Sequence, residues 1–167
     1  MSKKFKVPMF DLSVKDEILM DKLTKAFRST LSHGMVMLGP EVEELEKKIC
    51  KFIDTKFAVG VASGSSALYL ALKASGVAKG DEVIVSPMTW IITVNAIAEC
   101  GAIPVFADIK EDYNIDPISI ESRINNKTKA ILPMHYAGKL CDMKEITRIA
   151  RDNNLLVIED AAQAFGS

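Results

Sequence analysis

Five short apolar runs constrain the fold of this chain more than any other feature of its sequence. The runs occupy residues 57–62, 82–85, 103–107, 130–133 and 155–158, and the segments between them are long enough to hold helices. Strands that alternate with helical segments form parallel βαβ units, whose sheet is covered on both faces. We therefore predict an α/β fold with a mainly parallel sheet and helices on both faces.

Helical periodicity predicts the elements around these strands. Helices are expected at residues 14–31, 40–53, 65–75, 89–100 and 142–153. The first would begin at a capping pair formed by Ser13 and Asp16. The second is expected to bury its apolar residues, which are Val42, Leu45, Ile49, Phe52 and Ile53. The apolar loop 33–39 is expected to be tucked into the body of the protein or covered by another subunit.

Charge and cysteine content exclude several classes of protein. A net charge of -1 and scattered lysines give no basic surface for nucleic acid or an anionic membrane. Cys50, Cys100 and Cys141 are too far apart for a zinc site or a disulfide framework, which favours a reducing compartment. No apolar window is long enough to span a bilayer, so we predict a cytoplasmic protein.

Polar residues lie at or just after the end of each predicted strand. They are Ser63, Ser86, Asp108, His135 and Asp160. The carboxyl ends of parallel strands share one edge of the sheet, which is where open α/β sheets bind ligands. Asp160, followed closely by Gln163, therefore either contacts a bound group or caps the turn after its strand.

The segment from Ser63 to Ala67 has the composition of an anion site. It joins the first predicted strand to a helix, where free backbone N–H groups, a glycine and two hydroxyl groups can hold a phosphate. The same residues are also typical of a serine N-cap. The segment is not a Walker loop, and Gly60 and Gly64 do not complete a dinucleotide fingerprint.

Trp90 is the only tryptophan and stands at the start of a predicted helix. Its indole could stack on a flat ring or pack against the protein. His33 and His135 share no metal-ligand spacing, so we assign them structural roles. A phosphate cradle, an aromatic side chain and a carboxylate with an amide at one edge describe a site for a flat phosphorylated heteroaromatic compound. Pyridoxal phosphate fits that description.

Nine segments together resemble a known family. They are GPEVEELE from Gly39, VASGSSAL from Val61, GDEVIV from Gly80, MTW from Met88, NAI from Asn95, NIDP from Asn114, KTKAI from Lys127, HYAG from His135 and IEDAAQA from Ile158. In order and spacing this set is similar to the DegT-type sugar aminotransferases of pyridoxal phosphate fold type I. The resemblance implies a cytoplasmic homodimer that acts in nucleotide-sugar metabolism and polysaccharide biosynthesis.

The resemblance also implies two regions and a set of site residues. Residues 1–56 would be an N-terminal helical segment with a loop near the substrate and the partner subunit, and residues 57–167 part of the cofactor-binding large domain. Gly64, Ser65 and Ser66 would hold the cofactor phosphate, and Trp90 would stack on its ring. Asp160 would pair with the protonated ring nitrogen, and Gln163 would reach the ring hydroxyl. Ser65 replaces the commoner threonine, and Phe165 stands where histidine is frequent.

One expected residue is absent from this stretch of sequence. In the family, the lysine that binds the cofactor covalently follows a Ser-Phe-x-x-x-Lys pattern, which would come after Ser167. Lys139 is the nearest lysine in place, but only its position supports it. We therefore expect an N-terminal portion of an enzyme that transfers an amino group, from an amino acid such as glutamate, to a nucleotide-linked keto sugar. This portion alone is expected to be inactive.

Three other interpretations remain open. Family members with histidine in place of the lysine dehydrate sugars, so the complete protein could be a pyridoxal phosphate-dependent sugar dehydratase. The chain could also be a non-catalytic remnant that binds a partner or nothing. A dinucleotide-binding domain is disfavoured because the glycine fingerprint is missing.

Overall fold

The computed structural model describes residues 11–167 of the chain. Two compact units divide between Gly60 and Val61. This boundary lies close to the predicted one at 56/57, while the functions assigned to the two regions stay a prediction.

The first unit contains two helices, α1 (Glu17–His33) and α2 (Pro40–Phe52). The side chain of Asp16 caps α1 by accepting a hydrogen bond from the Leu19 N–H at 2.9 Å. The helix therefore begins three residues later than predicted, because Asp16 rather than Ser13 is the capping residue. At its other end α1 stops at Gly34, whose positive φ of 72° is favourable for glycine.

The burial expected for α2 is wrong. Within the described residues neither α1 nor α2 contains a buried side chain. Leu45 and Ile53 are more than half exposed. The loop between α1 and α2 is exposed as well, at Met35, Val36, Met37 and Leu38. The loop is therefore not tucked into the body of this chain, and its coverage by another subunit stays a prediction.

The second unit is built on a four-stranded parallel sheet. Its strands are β1 (Glu82–Val85), β2 (Ile103–Phe106), β3 (Thr128–Leu132) and β4 (Leu156–Val157). They lie in the order β2-β1-β3-β4, and every neighbouring pair is parallel. Four of the five predicted strands and the predicted fold class are thus confirmed.

The predicted strand at 57–62 does not form. Phe57 and Val59 are 83% and 79% exposed, and the Gly60 N–H bonds the side chain of Glu46 at 2.6 Å instead of a neighbouring strand. A strand exists only where a neighbouring backbone supplies its hydrogen-bond partners. Among the described residues β4 pairs with β3 alone, and residues 57–62 are not its neighbour.

Helices cover both faces of the sheet. They are α3 (Gly64–Ala74), α4 (Ile91–Glu99), α5 (Pro117–Arg123) and α6 (Met143–Asp152), with a short 3-10 turn at Tyr136–Gly138. Val83 and Val85 pack into one core with residues of α3 and α4, whereas Ile84 packs into a second core with residues of α5 and α6. The alternation along β1 therefore supplies both layers. Of these helices only α5, which is too short to show a period, is missing from the sequence prediction.

Candidate functional site

A cavity of about 290 Å³ lies at the carboxyl edge of the sheet in the second unit. This volume is near the lower end of the range of small-molecule sites, about 300–1,000 Å³. Five of the six predicted site residues line it, and Ser66 does not. The lining residues are Gly64, Ser65, Leu68, Trp90, Ile92, Thr93, Met134, Asp160, Ala162 and Gln163.

The N-terminus of α3 forms one wall of the cavity. Ser63 is the N-cap, and its hydroxyl oxygen accepts a hydrogen bond from the Ser66 N–H at 3.1 Å. The capping alternative is thus observed, and it uses the backbone of Ser66. It leaves the N–H groups of Gly64 and Ser65 in the first turn, where helices have no internal acceptors. A Cβ on Gly64 would meet no atom within 4 Å, so the space in front of this turn is open. An anion fits there.

Asp160 also lines the cavity and is fixed by backbone and side-chain bonds. Its N–H donates to the Pro133 carbonyl at 2.9 Å, and its carbonyl accepts from the His135 N–H at 3.2 Å. These bonds form a parallel bridge between Met134 and Asp160, beyond the last paired residues of β3 and β4. The residue is 9% exposed.

The carboxylate of Asp160 accepts hydrogen bonds from neutral donors. Oδ2 accepts from the Thr93 hydroxyl at 2.9 Å, and Oδ1 accepts from the Ala162 N–H at 3.2 Å. No salt bridge to Asp160 is found within residues 11–167. Each carboxylate oxygen has a second lone pair, so the group can accept a further hydrogen bond from a cationic N–H in the cavity.

Sequence reasoning missed Thr93. This residue lies on α4 and is 1% exposed. Its hydroxyl accepts a hydrogen bond from the Thr89 hydroxyl at 3.0 Å and donates one to Asp160. The available signal was its spacing, because Thr93 is three residues after Trp90 and so shares its side of the helix. Most residues of α4 are apolar, so a single threonine does not stand out there as a candidate site residue.

Trp90 and Gln163 complete the cavity. The Trp90 indole is 71% exposed and belongs to neither core cluster, so packing does not account for its position. The Gln163 side-chain oxygen accepts from the Ala137 N–H at 2.8 Å. This bond orients the amide and leaves its amino group as the end that can donate to a ligand.

The other strand-end residues have structural partners or lie away from the cavity. The Ser86 hydroxyl accepts from the Met88 N–H at 3.0 Å, and Asp108 is exposed beyond β2. His135 is buried, and its Nδ1 accepts from the Cys141 N–H at 3.2 Å. With Nδ1 as an acceptor, the ring proton is on Nε2, which donates to Glu159 at 3.1 Å. In the first unit, His33 lies 2.9 Å from Glu41 and holds the pKa of that carboxyl below its usual value. Both histidines thus have hydrogen-bonded structural roles.

No lysine is among the residues that line this cavity in the described chain. Lys139 forms an exposed ion pair with Asp112 at 3.1 Å, and its hydrogen bond lowers the pKa of the Asp112 carboxyl. Within residues 11–167 there is also no cluster of side chains suited to a metal ion. A search of the same residues finds no helix long and apolar enough to cross a membrane.

Sequence comparison connects the chain with one family. The profile of the DegT/DnrJ/EryC1/StrS aminotransferase family matches residues 17–167. The spore coat polysaccharide biosynthesis protein SpsC of Bacillus subtilis is 48% identical over 136 residues, which cover 81% of this chain and 35% of that protein. The dTDP-3-amino-3,6-dideoxy-alpha-D-galactopyranose transaminase of Aneurinibacillus thermoaerophilus is 40% identical over 162 residues, or 96% of this chain and 45% of the transaminase.

Solved structures give the same relationship. DesV of S. venezuelae superposes with a TM-score of 0.93 at 40% identity, over 96% of this chain and 43% of DesV. Ntda of Bacillus subtilis, solved with bound PMP, gives 0.91 at 35% identity over 96% and 38% of the two chains. A GDP-4-keto-6-deoxymannose-3-dehydratase with a trapped PLP-glutamate geminal diamine gives 0.78 at 31% identity, over 84% of this chain and 38% of the dehydratase. The chain thus spans well under half the length of the relatives it matches.

Proposed function

The chain belongs to the DegT/DnrJ/EryC1/StrS aminotransferase family, and from this membership we propose that its second unit holds pyridoxal phosphate in a sugar aminotransferase. The complete enzyme would transfer an amino group from an amino acid such as glutamate to a nucleotide-linked keto sugar. The observation that carries the proposal is the Asp160 carboxylate, buried beside an open cavity and bonded there by neutral donors.

The residues around the cavity suit four parts of this cofactor, which are its phosphate, its ring face, its ring hydroxyl and its ring nitrogen. The first-turn N–H groups of Gly64 and Ser65 would bind the phosphate at the positive end of α3. The Trp90 indole would lie against the ring, and the amino group of Gln163 would donate to the ring hydroxyl. Ser66 would contribute little beyond the cap, because its N–H is already bonded to Ser63.

Asp160 would accept the hydrogen bond of the protonated ring nitrogen. A carboxylate near such a group favours its charged form, by about 1–3 pKa units. When bound, pyridoxal phosphate acts as an electron sink for amino-group transfer, which requires that proton to stay on the ring. Thr93 would hold the carboxylate in place for this contact by donating to Oδ2.

The covalent step needs an amine that the cavity of this stretch does not contain. The family's lysine is expected after residue 167, so residues 11–167 would bind the cofactor without turning substrate over. A homodimer in the cytoplasm and a role in polysaccharide biosynthesis, as in the name of the SpsC relative, belong to this proposal.

A second candidate reaction is sugar dehydration on the same scaffold. The similarity to a GDP-4-keto-6-deoxymannose-3-dehydratase supports it. The two reactions would share Asp160, Gln163 and the phosphate cradle. A lysine or a histidine at the expected later position would distinguish them.

Titration with pyridoxamine 5′-phosphate tests the cofactor site, because this ligand needs no covalent lysine. We expect the chain to bind it, and Asp160→Asn to weaken binding by about 10- to 100-fold, the value of a hydrogen bond to a charged group. The matched control is Asp108→Asn, which removes a carboxylate at the end of β2 outside the cavity and should leave the affinity unchanged. A chain that does not bind this ligand, or an equal loss in both variants, would contradict the proposal and favour a non-catalytic remnant.

A further inference from the structure

Asn114 is a buried polar residue that lies outside the cavity. It is 1% exposed and belongs to the NIDP segment between β2 and α5. A tight turn presents it, in which the Lys110 N–H donates to the Asn114 carbonyl at 2.9 Å and the Asp112 side chain accepts from the Asn114 N–H at 3.1 Å. The proposed function so far gives this residue no role.

The side-chain amide of Asn114 forms its hydrogen bonds with one segment, residues 136–141. Its Nδ2 donates to the carbonyls of Lys139 and Leu140, each at 3.2 Å. Its Oδ1 accepts from the Tyr136 N–H at 3.0 Å. The Cys141 sulfur lies 3.5 Å from the same oxygen and 3.3 Å from the Met134 carbonyl oxygen, and these two acceptors share its one proton. Burial raises the pKa of the Cys141 thiol to about 11, so the thiol keeps the proton that it donates.

The segment that Asn114 holds has an unfavourable backbone. Ala137 and Gly138 have positive φ values of 51° and 85°. A left-handed alanine persists only where surrounding contacts over-determine the conformation. The bonds of Asn114 to Tyr136 on one side of this pair, and to Lys139 and Leu140 on the other, supply such contacts.

The same segment determines the orientation of Gln163. The Ala137 N–H donates to the Gln163 side-chain oxygen at 2.8 Å. A Cβ on Gly138 would come within 3.3 Å of the Gln163 carbonyl oxygen, so the two backbones also approach closely. Gln163 is exposed. The bond from the Ala137 N–H therefore determines whether the amino group or the oxygen of its amide faces the cavity.

We propose that Asn114 is a positioning residue that holds residues 136–141 in place, so that the Ala137 N–H binds the oxygen of Gln163 and its amino group is presented to the cavity. The identity of the ligand rests on the proposed function. Without Asn114, the amide of Gln163 would be free to rotate, and its amino group would no longer be held towards the cavity as a donor.

The experiment compares two ligands, pyridoxamine 5′-phosphate and its analogue without the ring hydroxyl. The wild-type chain should prefer the hydroxylated ligand by about 2- to 12-fold, the value of one neutral hydrogen bond. In Asn114→Ala this ratio should fall below about twofold. A loss of folded protein would weaken both ligands equally and leave the ratio unchanged. The Asn114→Ala/Gln163→Ala double variant should have the same ratio as Gln163→Ala alone.

A second measurement needs no ligand. Hydrogen exchange of the Ala137 amide should accelerate by about tenfold or more in Asn114→Ala, while the amides of β3 keep their protection. The matched control is Asn125→Ala, because Asn125 also bonds through both ends of its amide, to Glu82 and to the Lys127 N–H, beyond the other end of the sheet. It should change neither the ratio nor the exchange of Ala137. If Asn114→Ala does not fold, Asn114→Ser keeps one polar donor and acceptor in the buried position but is too short to bond both sides of the segment.

Two results would overturn the proposal. Wild-type exchange of Ala137 in the Asn114 variants would show that the segment does not depend on this residue. Faster exchange with an unchanged ligand ratio would show a structural role that does not reach Gln163. If the wild-type chain binds neither ligand, the proposed function fails, and the exchange of Ala137 alone decides whether Asn114 holds the segment.

Discussion

The carboxylate of Asp160 keeps its charge available to a ligand, because the protein gives it hydrogen bonds from neutral groups. Thr93 and Ala162 hold both oxygens in place, and burial lowers the local dielectric. In this setting a cationic ring nitrogen gains more than it would beside a carboxylate in water.

We therefore expect Asp160→Asn to lower the pKa of the ring nitrogen in bound pyridoxamine 5′-phosphate by about 1–3 units, since a neutral amide no longer favours the protonated ring. NMR of the ligand labelled with nitrogen-15 in the ring measures this pKa directly. A ring nitrogen with the same pKa in the variant would mean that Asp160 is only a strand cap.

Thr93 should contribute to stability even without a ligand. Thr93→Val keeps the shape of the side chain but leaves a buried carboxylate oxygen without its donor and the Thr89 hydroxyl without its acceptor. We expect the free energy of unfolding to fall by about 1–3 kcal/mol, as measured by urea denaturation. Thr93→Ser retains the hydroxyl and should lose less. A Thr93→Val variant as stable as wild type would show that these hydrogen bonds do not contribute to stability.

The sequence identified only part of the set of site residues. Asp160, Gln163 and Gly64 could be found because each follows a strand or begins a helix, which are local features. Thr93 and Asn114 act through partners 67 and at least 22 residues away. The spacing of Thr93 from Trp90 and the NIDP segment mark their positions, but no local pattern gives their partners. Their roles depend on which strands become neighbours, and that information is tertiary.

Among the helices, α6 offers a direct test of a sequence signal. Asp142 stands at the start of the predicted helix 142–153, and its side chain caps α6 by accepting from the Glu145 N–H at 3.2 Å. Asp142→Ala should lower the free energy of unfolding by about 0.5–2 kcal/mol, because this N–H loses its partner. Asp142→Ser provides a shorter capping side chain and should restore most of the loss. An alanine variant as stable as wild type would mean that water replaces the cap at no cost.

The predicted elements that failed share a physical cause. An apolar run such as 57–62 has strand composition, but composition cannot supply the neighbouring strand. The apolar stripe of α2 likewise predicts a buried face but not what covers it. In contrast, α6 and the four strands of the sheet find their partners within the second unit, and their predictions are confirmed.

For the chain as a whole, we expect no stoichiometric lysine adduct. No lysine of residues 11–167 lines the cavity, and Lys139 is paired with Asp112. Borohydride reduction in the presence of pyridoxal phosphate, followed by mass mapping, should therefore show scattered, partial labelling. Lys139→Ala should leave that pattern unchanged. A single fully modified lysine would contradict the expectation and would identify a covalent site within this stretch.

The hydrogen bond between Thr93 and Asp160 spans 67 residues of sequence, and this separation becomes a delay when the chain is synthesised. At about 5–20 residues per second, a ribosome adds Asp160 roughly 3–13 s after Thr93. During that interval the start of α4, with Thr93 and Trp90, has no carboxylate opposite it. The proposed set of cofactor contacts is therefore incomplete until Asp160 has been added, however early α3 and α4 have folded.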